Sequence, residues 1–315
     1  MKLTKLMGNE RGVAPQFAAD WDALGIDFYE DVAYGVGSGH DIYMDLMIPR
    51  DGKANRPVII WIHGGAWTGG DKKYRPTHAL VRACHDGFVV ASIDYRLVTE
   101  APFPAPIEDC KCAVRFIKAH AEELGIDPEC IGVWGESAGG QLAALVGASY
   151  MNPELEGVGG WGEYSSRVKA VCDWYCGGDM THMGACRVPE VEARAEELGI
   201  KLSGMPRGAA PGGEGDDEEH GFGSHIFGMP AKKAYKMGMA ISPIFYVDQP
   251  QPAYLLMHGD EDFFVPIEFS HNFNDALLKY GHDCTFVIVP RQGHGFFRGE
   301  GYYDIILNFF KKYLT

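Results

Sequence analysis

Six short apolar runs punctuate the chain: Val58-Ile59-Ile60-Trp61-Ile62, Phe88-Val89-Val90-Ala91-Ser92-Ile93, Ile131-Gly132-Val133-Trp134, Val168-Lys169-Ala170-Val171-Cys172, Ala253-Tyr254-Leu255-Leu256-Met257 and Thr285-Phe286-Val287-Ile288-Val289. Most are continuous rather than alternating, the pattern of parallel strands buried on both faces. The intervals between them carry helical patterns. In the clearest of these, Pro106 suits a first turn, Ile107, Cys110, Val114, Ile117, Ala121 and Leu124 recur at helical spacing, and Gly125 stands where the helix should stop. Upstream, Val32-Ala33-Tyr34 and the alternating segment from His40 to Met47 predict an antiparallel pair at a sheet edge. Strand and helix in alternation predict an α/β fold, a mostly parallel central sheet flanked by helices.

One region breaks the rhythm. From about 177 to 240 the sequence offers a helical stretch, Pro189 to Leu198, then a glycine-rich segment from Gly204 to Gly228 that carries the acidic run Glu214-Gly215-Asp216-Asp217-Glu218-Glu219. So long a stretch without a strand reads as an insertion, a cap or lid of the kind that often covers a site. The acidic run reads as a solvated loop, because it lacks the ordered ligand spacing of a calcium site. The hexapeptide Ala-Glu-Glu-Leu-Gly-Ile, present at 121–126 and again at 195–200, reads as one helix ending used twice.

With 315 residues the chain can bury a large core without disulfides or metal. Its formal charge of −15 repels polyanions, so neither nucleic acid nor an anionic membrane is expected as a partner. An apolar run long enough to span a bilayer is missing, and Met1 to Glu10 lacks the apolar stretch of a secretory signal, so a cytoplasmic location is the expectation. Eight cysteines are scattered without a C-x-x-C pair and read as reduced thiols. Cys172, Cys176 and Cys186 with His182 fit no standard zinc spacing, so no metal is expected.

Three separated motifs describe one chemistry. Gly135-Glu136-Ser137-Ala138-Gly139-Gly140 directly follows the run ending at Trp134 and precedes the helical Gln141-Leu142-Ala143-Ala144-Leu145-Val146. A serine on a sharp strand-to-helix turn needs tiny neighbours, and the turn lifts its hydroxyl above the sheet beside unpaired N–H groups. Ser137 is therefore the expected nucleophile. It needs a base, and His294 in Gln292-Gly293-His294-Gly295-Phe296 follows the last strand on a short, glycine-flanked loop. The base needs a carboxylate to hold its tautomer, and Asp260, Glu261 and Asp262 compete for that part on the loop after the preceding strand. His258, at the end of that strand, reads as structural. Donors for an oxyanion are expected from His63-Gly64-Gly65-Ala66-Trp67, with the amides of Gly65, Ala66 and Ala138 as the donors and His63 bracing the loop.

On these motifs the chain resembles the α/β-hydrolase superfamily and, within it, the hormone-sensitive-lipase-like esterases, particularly the bacterial bifunctional feruloyl and acetyl-xylan esterases. The resemblance runs from about Tyr34 to the C-terminus. It also takes in Gly70-Asp71-Lys72, Asp94-Tyr95-Arg96-Leu97, the segment from Phe103 to Cys110, and Ser242-Pro243-Ile244. Asp94, Tyr95 and Arg96 read as structural, an Asp–Arg pair that fixes a loop beside a strand end. It implies an α/β-hydrolase fold and a serine carboxylesterase acting on small acetyl or feruloyl esters of carbohydrate-derived alcohols, with no cofactor. By the family's H-G-x-x-D-x-x-V-P pattern the acid is Asp262, with Asp260 second. Trp67 and Phe296 flank the site and read either as its substrate-binding lining or as plain packing. The triad spans one sheet, so residues 1–315 are expected to form a single catalytic domain holding the 177–240 insertion. The His-Gly-Gly-x-Trp loop leaves an amidase of the kynurenine formamidase type as the alternative. A non-catalytic binding protein on the same fold is disfavoured, because every catalytic role can be filled.

Overall fold

The computed structural model of the chain describes residues 20–74, 76–181, 189–202, 228, 231–295 and 299–315. Eight strands form one sheet: β1 (Ile26–Gly37), β2 (His40–Pro49), β3 (Arg56–Ile62), β4 (Val89–Ile93), β5 (Ile126–Glu136), β6 (Ala170–Trp174), β7 (Ala253–Gly259) and β8 (Cys284–Val289). Their spatial order is β1-β2-β4-β3-β5-β6-β7-β8. β1 pairs with β2, and β2 with β4, antiparallel; every later pairing is parallel. The helices are α1 (Thr77–His85), α2 (Ala105–Ala119), α3 (Ala121–Leu124), α4 (Ala138–Ala148), α5 (Pro189–Leu198), α6 (Ala231–Ala240), α7 (Glu268–Lys279) and α8 (Glu300–Leu314).

Alternation along each central strand divides the core into two layers. Val58, Ile60 and Ile62 of β3 join the layer under α2, α4 and α7, together with Leu142, Leu145 and Phe273. Ile59 and Trp61 point the other way, to α1 and α8, where Leu80, Ile306 and Phe310 meet them. On that second face Trp61, Trp134 and Trp174, from three adjacent strands, pack edge to face with ring centres 4.9–6.2 Å apart. Such contacts add to the area that the rings bury. Mutual burial on both faces is why these runs carry no polar alternation.

Two elements depart from the sequence pattern. Thr285–Val289 reads as a buried strand, yet β8 is the last strand of the sheet, and Ile288 is 45% exposed. The helix expected to run to Gly125 ends at Ala119 and restarts as α3 after His120, whose ring packs on Phe116 and Trp161 and pairs with Glu123 at 2.9 Å. The repeated hexapeptide does mark helix ends. Gly125 and Gly199 both take positive φ, 64° and 59°, immediately after Leu124 and Leu198.

Of the 177–240 segment, α5 matches the expected stretch, and its Val191, Ala195 and Leu198 join the first core layer. The Lys279 ammonium at the end of α7 caps it by donating to the carbonyls of Leu198 and Gly199. The Glu214–Glu219 run, His182 and Cys186 lie outside the described residues. Among the described residues no helix is long and apolar enough to cross a membrane.

The fold brings α4 unusually close to the sheet. A Cβ on Gly139 would run into the carbonyl oxygens of Ile62 and His63, and one on Gly140 into the Asp173 carboxylate. Backbone cannot yield as a flexible side chain can, so Gly139→Ala should destabilise the protein by roughly 2–3 kcal/mol or prevent folding. Thermal or urea denaturation of the variant measures this; a midpoint equal to that of the parent would show that the elbow can open without cost.

Candidate active site

The elements that end at one rim of the sheet carry the candidate residues. Between β5 and α4 the chain reverses through Ser137, at φ 53° and ψ −122°, a conformation that a non-glycine residue holds only when its surroundings impose it. They do so here. The Ser137 amide donates to the Trp174 carbonyl at 2.9 Å, its carbonyl accepts from the Gln141 amide at 3.0 Å, and a Cβ on Gly135 would strike the Gly139 carbonyl. Ala138 is the first residue of α4, so its N–H has no partner within the helix and lies at the positive end of the helix dipole.

From Ser137 a line of hydrogen bonds crosses to the loops that follow β7 and β8. Ser137 Oγ lies 2.9 Å from His294 Nε2, and His294 Nδ1 lies 2.7 Å from Asp262 Oδ2. Burial alone would raise the Asp262 carboxyl. Hydrogen bonds from His258, His294 and the Val265 amide, with the charge of His294, outweigh it and hold the group well below the usual carboxylate range. An ionised Asp262 only accepts, so His294 Nδ1 carries the ring proton and Nε2 is left to accept from the Ser137 hydroxyl.

Asp262 has further partners. Its Oδ1 accepts the Phe264 amide at 2.8 Å and the Val265 amide at 2.9 Å. Oδ2 receives a second imidazole, His258 Nε2, at 3.2 Å, and that nitrogen also lies 2.9 Å from the Val265 carbonyl. A carbonyl only accepts, so His258 carries its proton on Nε2, and its Nδ1 accepts from the Ser270 hydroxyl at 2.7 Å. His258 is thus structural, as its sequence position suggests, but the structure it supports is the carboxylate itself. Asp260 faces away, accepting the Arg291 amide, and Glu261 is exposed. Of the three competing acids only Asp262 meets His294.

The loop after β3 faces the elbow. Gly65, Ala66 and Trp67 all have positive φ, 119°, 52° and 59°, and a side chain on Gly65 would collide with the Gly69 carbonyl. His63 lies beneath, fully buried: its ring stacks on Tyr95 at 4.3 Å, its Nδ1 lies 2.7 Å from the Gly64 carbonyl, and burial keeps it below the usual histidine range. Trp67, expected to flank the substrate, is only 6% exposed and packs edge to face on Phe103. Its indole N–H donates to Gln141 Oε1 at 3.1 Å, and the Gln141 amide donates to the Ile241 carbonyl at 2.7 Å, just beyond α6. Trp67 therefore ties the loop to α4 rather than presenting a free face. Phe296 lies outside the described residues.

Several residues at the site carry no signal in the sequence. Tyr175, at φ 45°, donates its hydroxyl to Glu136 at 2.5 Å and packs its ring edgewise on His294 at 4.7 Å. Gln141 shows only as one polar residue in an apolar helix start. Arg96 was expected to pair with Asp94, but it forks onto Asp109 at 2.7–3.1 Å, while Asp94 takes the Lys72 ammonium at 3.0 Å and the Lys72 amide at 2.7 Å. Both arrangements fix the loops behind the site. Among the described residues no cluster of three or more His, Cys, Asp or Glu side chains could hold a metal.

A family model described as BD-FAE matches residues 44–277. Two curated proteins of Mycobacterium tuberculosis are similar: the probable carboxylic ester hydrolase LipM, 28% identical over 84% of this chain and 54% of its own length, and the esterase LipQ, 29% identical over 84% and 56%. The chain spans about half the length of these relatives. Among solved structures, a truncated form of a carbohydrate esterase from gut microbiota is 28% identical with a TM-score of 0.72, covering 90% of this chain and 95% of that one. A bifunctional GH43-CE protein of Bacteroides eggerthii is 29% identical with a TM-score of 0.73, covering 90% of this chain and 38% of that one.

One carboxyl near the elbow is shut away from water. Asp173, at the end of β6, is buried under Gly140; among the described residues its Oδ1 has no hydrogen-bond partner, and its Oδ2 takes the Gly177 amide at 3.2 Å. Burial pushes it up to about 7, against the opposing pull of the Gly177 and Cys176 amides. An acid raised in the folded state contributes most below its unfolded value, and the contribution is lost as pH climbs from about 4 towards 7. Asp173→Asn cannot ionise and should gain stability relative to the parent over that window, by an order of 1–3 kcal/mol at pH 8. Melting curves of both proteins from pH 4 to 8 test this; a constant difference would mean that Asp173 is already ionised in the fold.

Proposed function

The chain belongs to the BD-FAE family, and on that premise we propose that it is a serine carboxylesterase in which Ser137, His294 and Asp262 form the catalytic triad. The uninterrupted hydrogen-bond chain from Ser137 through His294 to Asp262 carries the reading. Ser137 Oγ attacks the ester carbonyl as His294 Nε2 takes its proton. The charge that collects on the carbonyl oxygen is met by the amides of Gly65, Ala66 and Ala138, and such donors commonly contribute about 3–4 kcal/mol each. His294 then protonates the departing alcohol, and water admitted on the same side hydrolyses the acyl-enzyme with the roles reversed. Asp262 stays ionised throughout and stabilises the imidazolium.

The substrates we propose are acetyl or hydroxycinnamoyl esters of carbohydrate-derived alcohols. Support comes from the likeness to the gut-microbial carbohydrate esterase, and the ester-hydrolase names of the mycobacterial relatives support the reaction class. We read residues 1–315 as one catalytic domain with an inserted cap at about 177–240, since the triad elements share one sheet and the insertion returns at Ile241, which holds Gln141. A cleavage of N-formylkynurenine would favour the amidase alternative that the His63–Trp67 loop leaves open.

Ser137→Ala should lower kcat by roughly 10⁴-fold or more on p-nitrophenyl acetate and methyl ferulate. Asp262→Asn should cost a similar factor, because an amide can present the wrong tautomer to His294, whereas Asp260→Asn should stay within about threefold of the parent. Steady-state assays of the three variants decide the matter: near-normal turnover by the serine variant removes the nucleophile, and the reverse ranking of the two aspartates removes Asp262.

A further inference from the structure

Two adjacent phenylalanines stand in water beside the proposed base. Phe263 is 90% exposed and Phe264 is 82% exposed, on the loop that leads from Asp262 into α7. Scattered exposed aromatics need no explanation, but a contiguous pair at the rim of a site does. Phe264 is not loosely placed. Its amide is bound by Asp262 Oδ1 at 2.8 Å, and its ring centre lies 5.6 Å from that of His294, tilted by 53°. The buried ring of Tyr175 also packs edgewise on the imidazole, at 4.7 Å. The catalytic imidazole thus meets one buried ring and one exposed ring.

The position of the exposed ring selects the part of the substrate it meets. In the proposed reaction His294 Nε2 delivers a proton to the departing oxygen, so the alcohol half of the ester must lie against the imidazole, while the acyl carbonyl oxygen points to the amides of Gly65, Ala66 and Ala138. A ring that flanks His294 therefore touches the alcohol. An alkyl alcohol would gain most from an enclosed apolar trench. A sugar gains from an open one, because a pyranose has a C–H face that stacks on an aromatic ring and a rim of hydroxyls that remain in water. We propose that Phe264, extended by Phe263, is the stacking platform for the sugar ring of the leaving alcohol and sets the preference of the enzyme for sugar esters over simple alkyl esters. The proposal rests on the triad reading above and adds to it the residue that distinguishes alcohols.

Esters with one acyl group and two alcohols isolate this role. With a methyl xylopyranoside carrying a single O-acetyl group and ethyl acetate as substrates, the ratio of kcat/KM for the sugar ester to that for ethyl acetate should fall about tenfold in Phe264→Ala, through KM rather than kcat. Phe264→Trp, which keeps a ring face, should restore the ratio. A variant that loses rate equally on both esters, or a ratio that does not move, overturns the platform, since a purely structural fault has no reason to separate the two alcohols. Cleavage of ethyl acetate by the parent without any cleavage of the sugar ester would also overturn it while leaving the triad standing. Failure on both esters would instead sink the esterase reading itself.

Discussion

A carboxylate shut away from water must find its hydrogen bonds within the protein, and the loops at the rim of this sheet are arranged around meeting that demand for Asp262. Its side chain has no solvent exposure. Four donors converge on its two oxygens: the amides of Phe264 and Val265 on Oδ1, and the imidazoles of His258 and His294 on Oδ2. These donors come from the end of β7, from the loop that follows it and from beyond β8. Removing any one leaves a buried anion partly unmet, an expensive condition in a medium of low polarity. The same bonds that offset the desolvation of Asp262 also orient His294. Stability and the proposed chemistry therefore draw on one set of contacts.

The second constraint is the crowding behind Ser137. α4 lies so near β3 and β6 that Gly139 and Gly140 have no room for a Cβ, and Ser137 is held in a strained conformation by bonds on both its amide and its carbonyl. Strain of about 1–3 kcal/mol at such a residue persists only when the surrounding packing over-determines it. Here the packing is the two-layered core, whose largest side chains, Trp61, Trp134 and Trp174, sit in the strands directly beneath the elbow and its neighbours. A rigid sheet is thus what allows a serine hydroxyl and helix N–H groups to be presented at the same rim without rearrangement.

What was legible in the sequence follows from this physics. Continuous apolar runs disclose strands because burial on both faces removes every polar position. The elbow is visible because crowding leaves room only for glycine at positions 135, 139 and 140 around the serine. The edge position of β8 was not legible, since an apolar run does not say whether a ninth strand exists to cover it. Arg96 and Asp94 illustrate a different limit: neighbours in sequence suggested a pair, but the backbone sends them to Asp109 and Lys72, partners 13 and 22 positions away. Tyr175 and Gln141 were silent because the contacts of an isolated side chain create no pattern. His258 was half-visible. Its spacing of four from Asp262 was written in the chain, but only the tautomer imposed by the Val265 carbonyl shows that its proton points at the carboxylate.

The two rings that meet His294 differ in burial, and that difference has a chemical logic. Tyr175 is buried, bonded to Glu136 and packed edgewise on the imidazole. Phe264 is exposed, with its backbone amide bound by the same Asp262 that holds His294. A base needs the first kind of neighbour, because its angle to Ser137 must not vary. A substrate that arrives from water and leaves in two pieces needs the second, because a surface that is open when empty can exchange alcohols without unfolding any part of the core. The anion at Asp262 joins the two requirements, fixing the ring of the proposed base and the backbone of the proposed platform from a single buried point.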